Sequence, residues 1–389
     1  MAKFSDQESC FPDEMEGFAK AIGAAEKLKA INNPYTGNKK KMILDIWKAL
    51  VQENVKFDTV LDLFSGSASV GIFFKYMSSS VVCNDLLTLP YLTSLALVEN
   101  SSVLFTPSEI SHLFNGKGVE GFVSKKYADP DRTAARFTQE EAGHIDLFYQ
   151  NLQDIVGSIP DLLRRSHSRQ IVLNNEKDIL LCKAAFGLVV ILNHIMTNCF
   201  IGGRLNRGQV LAEINFRIER QKKKSDEHYD GSMSFSNLFI PDMRFVDPQP
   251  CFASRCDAMD LFVKDLPDFD LIYIDPPYGG DQSDYAEMYR FVEEYVWQSD
   301  MENIPGIESA NKFVKSKSYD EQFRLLLSVL PGTSAWAISY NNDSWSDIDK
   351  IKKIVSEFKT DIIVKEIDYE YQYRKHSHSS GVEYLLVAR

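Results

Sequence analysis

Asp275-Pro276-Pro277-Tyr278 follows directly on the apolar run Phe269-Asp270-Leu271-Ile272-Tyr273-Ile274. Two consecutive prolines can neither continue a sheet ladder nor enter a helix interior, so the chain must leave a strand there as a stiff turn. That turn offers the Asp275 carboxylate, a Pro276 carbonyl that no ladder uses and the aromatic face of Tyr278. Together they suit a planar base with an exocyclic amine, which has two hydrogens to place and a ring to stack. The plainer reading of the same residues is a rigid turn carrying a surface acid.

A second group could hold a nucleoside. The run Thr59-Val60-Leu61-Asp62-Leu63-Phe64 closes on Ser65-Gly66-Ser67, and Val81-Val82-Cys83-Asn84 ends on Asp85. A glycine turn after a first strand lets a ligand approach the backbone, and an acid ending the second strand can accept from ribose hydroxyls. Ala68 stands where a further glycine would complete a pyrophosphate-binding loop, so pyrophosphate is disfavoured.

These residues need a doubly wound α/β frame to bring them together. Strand, glycine turn, helix and a strand ending in an acid open such a domain. Strands are expected again at 269–275, 334–340, 362–367 and 382–388, with helices near 286–297 and 319–330. Between about 101 and 250 the pattern turns helical at 139–156 and 177–197 and then polar and basic, so one α/β domain is interrupted by an insert. The expected division is an N-terminal extension over 1–30, a first catalytic part over 31–100, the insert over 101–250 and a second catalytic part over 251–389.

With this order and spacing the chain resembles the Dam-like family of adenine-N6 DNA methyltransferases, in the group whose cofactor motif precedes the catalytic one. Tyr35-Thr36-Gly37-Asn38-Lys39 is similar to the family's N-terminal cofactor motif, Asp62-Leu63-Phe64-Ser65-Gly66 to the central one and Asp275-Pro276-Pro277-Tyr278 to the catalytic tetrad. The resemblance implies a Rossmann-like sheet with an inserted, mainly helical target-recognition domain. It implies S-adenosylmethionine as cofactor, S-adenosylhomocysteine as product and no metal. Tyr35 and Lys39 would flank the methionine end, with Lys39 on its carboxylate. Phe64 and Gly66 would line the floor, Asp85 would hold the ribose and Asp257 would receive the adenine amine; Asp62 and Asp275 complete the cofactor set.

The resemblance also implies double-stranded DNA as substrate. Arg204, Asn206 and Arg207, in a segment similar to part of the family's recognition region, are candidate base contacts. Lys222, Lys223 and Lys224 are candidate phosphate contacts, although a solvated helix face accounts for the same run. Tyr369 to Lys375 with Glu383-Tyr384-Leu385-Leu386 resembles the family's C-terminal hairpin block. A cognate restriction enzyme is left open as a partner.

Composition bounds this reading. The 389-residue chain carries a formal charge of −12, so any DNA-binding face must be a local one. Its six cysteines show no Cys-x-x-Cys spacing, and the longest apolar run, 184–192, is about half a membrane span. The expectation is a cytoplasmic protein, bacterial or phage-encoded, without membrane contact.

Three other readings remain. A cytosine-N4 enzyme would use the same amine chemistry, and a recognition subunit could have lost catalysis. A cytosine-C5 enzyme would need Cys251 as nucleophile, and its Glu-Asn-Val partner occurs only at Glu53-Asn54-Val55, on the wrong side of the cofactor strand.

Overall fold

A computed structural model of the chain describes residues 12–31, 34–101, 103–128, 137–167, 179–201, 204–205, 249–261, 266–279, 284–310, 313, 318–341, 346–374 and 377–389. Its centre is a seven-stranded sheet. The strands are β1 (Thr59–Asp62), β2 (Ser80–Asp85), β5 (Cys251–Arg255), β6 (Leu271–Ile274), β7 (Ala335–Asn341), β8 (Ile362–Arg374) and β9 (Ser377–Ala388). A separate two-stranded ladder joins β3 (Phe200–Ile201) to β4 (Arg204–Leu205). The main sheet runs β5-β2-β1-β6-β7-β9-β8. The pairings from β5 to β7 are parallel, while β9 is antiparallel to both neighbours.

The near-continuous apolar strands reflect burial on both faces. Val60, Val81, Leu271 and Tyr273 point to one side, where helices Ile43–Gln52 and Ser69–Tyr76 cover them. Leu61, Val82, Ile272 and Ile274 point to the other, against helices Tyr319–Val329 and Ile348–Val355. The second of these starts where the Asp347 side chain accepts from the Lys350 amide at 2.8 Å. On the first side, Gly71 lets its helix approach so closely that a Cβ there would lie 2.2 Å from Cys83 Sγ.

Residues 12–30, set apart in the sequence as an extension, form a helix whose Ala21, Ala24, Ala25 and Leu28 are buried in the core of the first face. Helices Gln139–Val156 and Ile179–Cys199, from the expected insert, share a cluster with Leu92, Leu95, Tyr295 and Trp297. Residues 179–197 are long and apolar enough to cross a membrane, yet 78% of that stretch is buried within the fold, so they serve here as a core helix.

Chain order reverses at β1. From it the sheet grows through β2 and β5 on one side and through β6 and β7 on the other. Connections leaving the carboxyl ends of β1 and β6 therefore part in opposite directions, and open α/β sheets form their ligand crevice at such a point.

Candidate active site

A cavity opens at that reversal. It is lined by Tyr35, Lys39, Asp62, Phe64, Gly66, Asp85, Asp257, Asp275, Pro276, Pro277 and Tyr278, so every expected cofactor and catalytic residue meets one space. Strand ends explain the convergence: Asp62 is the last residue of β1, Asp85 the last of β2, and Asp275 follows β6. Asn84, which sequence reasoning passed over, joins two of the emerging loops by donating to the carbonyls of Leu63 (3.3 Å) and Cys256 (3.1 Å).

On the β1 and β2 side, backbone donors face the acids. Asp85 accepts from the Gly66 amide at 2.9 Å and the Leu87 amide at 3.0 Å; burial, only partly offset by these bonds, pushes its pKa up to about 6. Asp62 accepts from the Gly71 amide at 3.1 Å, and burial pushes its pKa up to about 8. Gly66 has φ +47°. Asp257 accepts from the Met259 amide at 3.0 Å.

The N-terminal motif is clasped by aromatic residues from beyond the catalytic turn. Tyr35 stacks on Tyr289, with centroids 4.8 Å apart, and on Tyr285 at 6.0 Å, while the Thr36 amide donates to Tyr289 Oη at 2.9 Å. Neither partner was anticipated. Their spacing of four reads in sequence as an ordinary helix face.

At the other end of the cavity lies a compact polar cluster. Lys39 Nζ donates to Glu383 Oε1 at 2.8 Å and to Tyr278 Oη at 3.0 Å, and lies 3.1 Å from Asp275 Oδ2. Tyr278 Oη lies 2.5 Å from Asp275 Oδ1 and 2.8 Å from Glu383 Oε1, so its one proton is within reach of both carboxylates. Lys39 was expected on a ligand carboxylate; two protein carboxylates hold it. Burial lowers its pKa, but Asp275 and Glu383 outweigh this and raise it, so it stays charged. Glu383 is a site residue that sequence reasoning left without a role.

Arg204 lies in β4, where only its backbone is described, and Asn206, Arg207, Lys222, Lys223 and Lys224 fall outside the described residues. Cys251 is the first residue of β5, 3% exposed, with Sγ turned to the Ser79 carbonyl, and it does not line the cavity. No group of three or more His, Cys, Asp or Glu among the described residues is arranged to hold a metal ion.

Residues 35–157 match the family described as D12 class N6 adenine-specific DNA methyltransferase. The chain is also 25% identical over 365 residues, 88% of its own length and 94% of the relative's, to the Type II methyltransferase M2.HphI of Haemophilus parahaemolyticus.

Proposed function

We infer that this chain is an adenine-N6 DNA methyltransferase, which transfers a methyl group from S-adenosylmethionine to the exocyclic amine of adenine. One observation carries the assignment of its site: the Asp275-Pro276-Pro277-Tyr278 turn opens into the same cavity as Tyr35, Gly66 and Asp85.

The residues present fit the cofactor. It supplies an electrophilic methyl group on a sulfonium, and its net charge is positive. Asp62, Asp85, Asp257 and Asp275 surround the space, and the charge of Lys39 is already met by two of the cavity's own carboxylates. In this reading Asp85 takes the ribose hydroxyls, Asp257 the adenine amine and Phe64 the floor, while Tyr35 and Lys39 bound the methionine end.

Adenine in a duplex hides its amine, so the base must be extruded into the site at a cost of a few kcal/mol. Tyr278 then stacks on the base. The Asp275 carboxylate and the Pro276 carbonyl accept the two amine hydrogens, which draws the nitrogen lone pair out of conjugation and aims it at the methyl carbon. As the N–C bond forms and the S–C bond breaks, the nitrogen gives up one proton, to Asp275 or through it to solvent. Holding two reactants in line supplies much of the acceleration.

The insert, 101–250, is proposed as the target-recognition domain. Arg204, Asn206 and Arg207 would read bases, and Lys222, Lys223 and Lys224 would grip phosphate. The relative's name is that of a Type II system, which supports a cognate restriction enzyme and a place in the bacterial cytoplasm, where the DNA is. The direct test is incubation with duplex DNA and labelled cofactor, digestion to nucleosides and mass spectrometry. N6-methyladenine is expected; 4-methylcytosine would transfer the same site chemistry to the cytosine-N4 reading.

A further inference from the structure

Two carboxylates share Lys39, and only one of them belongs to the catalytic turn. Glu383 lies on β9, 1% exposed; its Oε1 accepts from Lys39 and Ser339 at 2.8 Å each and lies 2.8 Å from Tyr278 Oη, whose one proton it shares with Asp275. Asp275 takes the same ammonium at 3.1 Å. A buried carboxylate is expensive to keep, and a strand that continues Tyr384-Leu385-Leu386-Val387 could be packed largely by apolar side chains. We infer that Glu383 is a positioning residue for methyl transfer: by holding Lys39 it denies Asp275 a full counter-ion and keeps that carboxylate a strong acceptor for the amine. This rests on the reading in which Asp275 receives the amine of adenine.

An ammonium in contact with a carboxylate weakens it as an acceptor and as a base, and a second carboxylate on that ammonium cancels part of the effect. Among the described residues, several elements around Asp275 bring a charged or titratable group. Lys39 comes from the loop before helix Ile43–Gln52, Glu383 from β9, Tyr278 from the turn itself and Tyr273 from β6. Asp62 comes from β1 and Tyr319 from its helix. For Asp275, burial raises the pKa, Lys39 lowers it and Glu383 raises it again, leaving it above the usual carboxylate range. For Glu383, burial raises it, but Lys39 and the three hydrogen bonds win and leave it below that range. Two acids with separated proton affinities divide the work, one holding charge and the other handling protons.

The experiment measures single-turnover methyl transfer against pH, whose acid limb reports ionisation of the essential acid in the bound complex. Glu383→Gln gives Lys39 wholly to Asp275, so the acid limb should move down by about one pH unit. Lys39→Met should move it up. The double variant removes both charges and should return the limb to the parent's position, because their opposed effects on Asp275 vanish together. A purely structural ion pair would leave the limb in place in every variant that folds, and that result overturns the inference. Should Glu383→Gln not fold, the double variant decides by comparison with Lys39→Met: a limb below that of Lys39→Met supports the inference, and coincident limbs show that Glu383 does not act on Asp275, which also overturns it. A parent protein that makes no N6-methyladenine removes the underlying reading, whereas an active parent with an unmoved Glu383→Gln limb removes only the positioning role.

Discussion

The ring of Tyr35 lies against the backbone of Gly66, so closely that a methyl group placed on Gly66 would stand 3.1 Å from Tyr35 Cε1. Gly66 also holds φ +47°, a conformation that costs an L side chain about 1–2 kcal/mol. Gly66→Ala should therefore lose about that much stability and push Tyr35 off its stack with Tyr289. We expect cofactor affinity to fall about tenfold, an order-of-magnitude figure equal to 1.4 kcal/mol. Calorimetry on the folded variant checks this; unchanged affinity would show that the ring is not part of the binding surface.

Asp62 sets a dependence on pH that can be signed in advance. Its carboxyl is raised from the ordinary 3.8 to about 8 in the fold, chiefly by burial. The folded state thus binds a proton that the unfolded state has lost, and stability falls as pH rises from about 4 to about 8. Asp62→Asn keeps an acceptor for the Gly71 amide without a charge to bury. It should be more stable than the parent at pH 7, by roughly 1–3 kcal/mol, with the gap closing toward pH 4. Paired thermal melts at the two pH values measure it. Binding of a cation beside Asp62 should also release its proton at pH 7, visible as calorimetric heats that depend on the buffer and lost in Asp62→Asn.

Tyr278 carries two separable functions, a ring for stacking and a hydroxyl 2.5 Å from Asp275. Tyr278→Phe keeps the ring and frees Asp275 Oδ1 for the incoming amine. It should retain transfer within about tenfold of the parent, whereas Tyr278→Ala forfeits stacking worth about 1–3 kcal/mol in addition. Single-turnover rates of the two variants compare these functions directly, and equal losses would assign the whole effect to the hydroxyl.

The Asp275 turn could be read from sequence because two prolines after an apolar run allow few structures, and the strand ends followed from glycine and acid positions. Glu383 could not. A lone acid between Val382 and Tyr384 in an apolar run has no local signal that assigns it a partner, and its place in the site follows from β9 entering antiparallel between β7 and β8, opposite Asn341 and Ile367. Strand β5 was missed for a similar reason. Cys251-Phe252-Ala253-Ser254-Arg255 is short and ends polar, and what fixes it is parallel pairing with β2 and the Glu99 carboxylate, which accepts from the Ala253 amide at 2.9 Å. The aromatic clasp on Tyr35 likewise depends on a pairing across some 250 positions that no local spacing encodes.

Basic residues of the insert should announce themselves through salt. If Lys222, Lys223 and Lys224 grip phosphates, neutralising all three should shallow the slope of log affinity against log salt by about 0.9 for every phosphate they no longer neutralise. Arg204→Ala and Arg207→Ala should instead relax the choice of site along with strength, since arginines that read base edges carry sequence information. Affinities across a salt series, on matched and mismatched duplexes, separate the two groups. A triple variant with the parent's slope would place the phosphate grip elsewhere.

The class of chemistry turns on Asp275 and Cys251. Asp275 lies at the cavity beside Pro276 and Tyr278, while Cys251 is buried at the start of β5 with its sulfur toward the Ser79 carbonyl. Amine attack requires an acceptor for the amine hydrogens, so Asp275→Ala should abolish methyl transfer, by at least 100-fold if removal costs the roughly 3 kcal/mol of a charged hydrogen bond. It should still bind cofactor, because Asp62, Asp85 and Asp257 remain. Cys251→Ser should transfer at nearly the parent's rate, its small cost falling on stability, since a hydroxyl replaces a buried thiol. Attack through a cysteine predicts the reverse: a dead Cys251→Ser protein and a covalent adduct on fluorinated cytosine. Transfer rates, cofactor affinity and denaturing gels on the two variants distinguish these outcomes, and an active Asp275→Ala protein would remove amine activation by this turn from the mechanism.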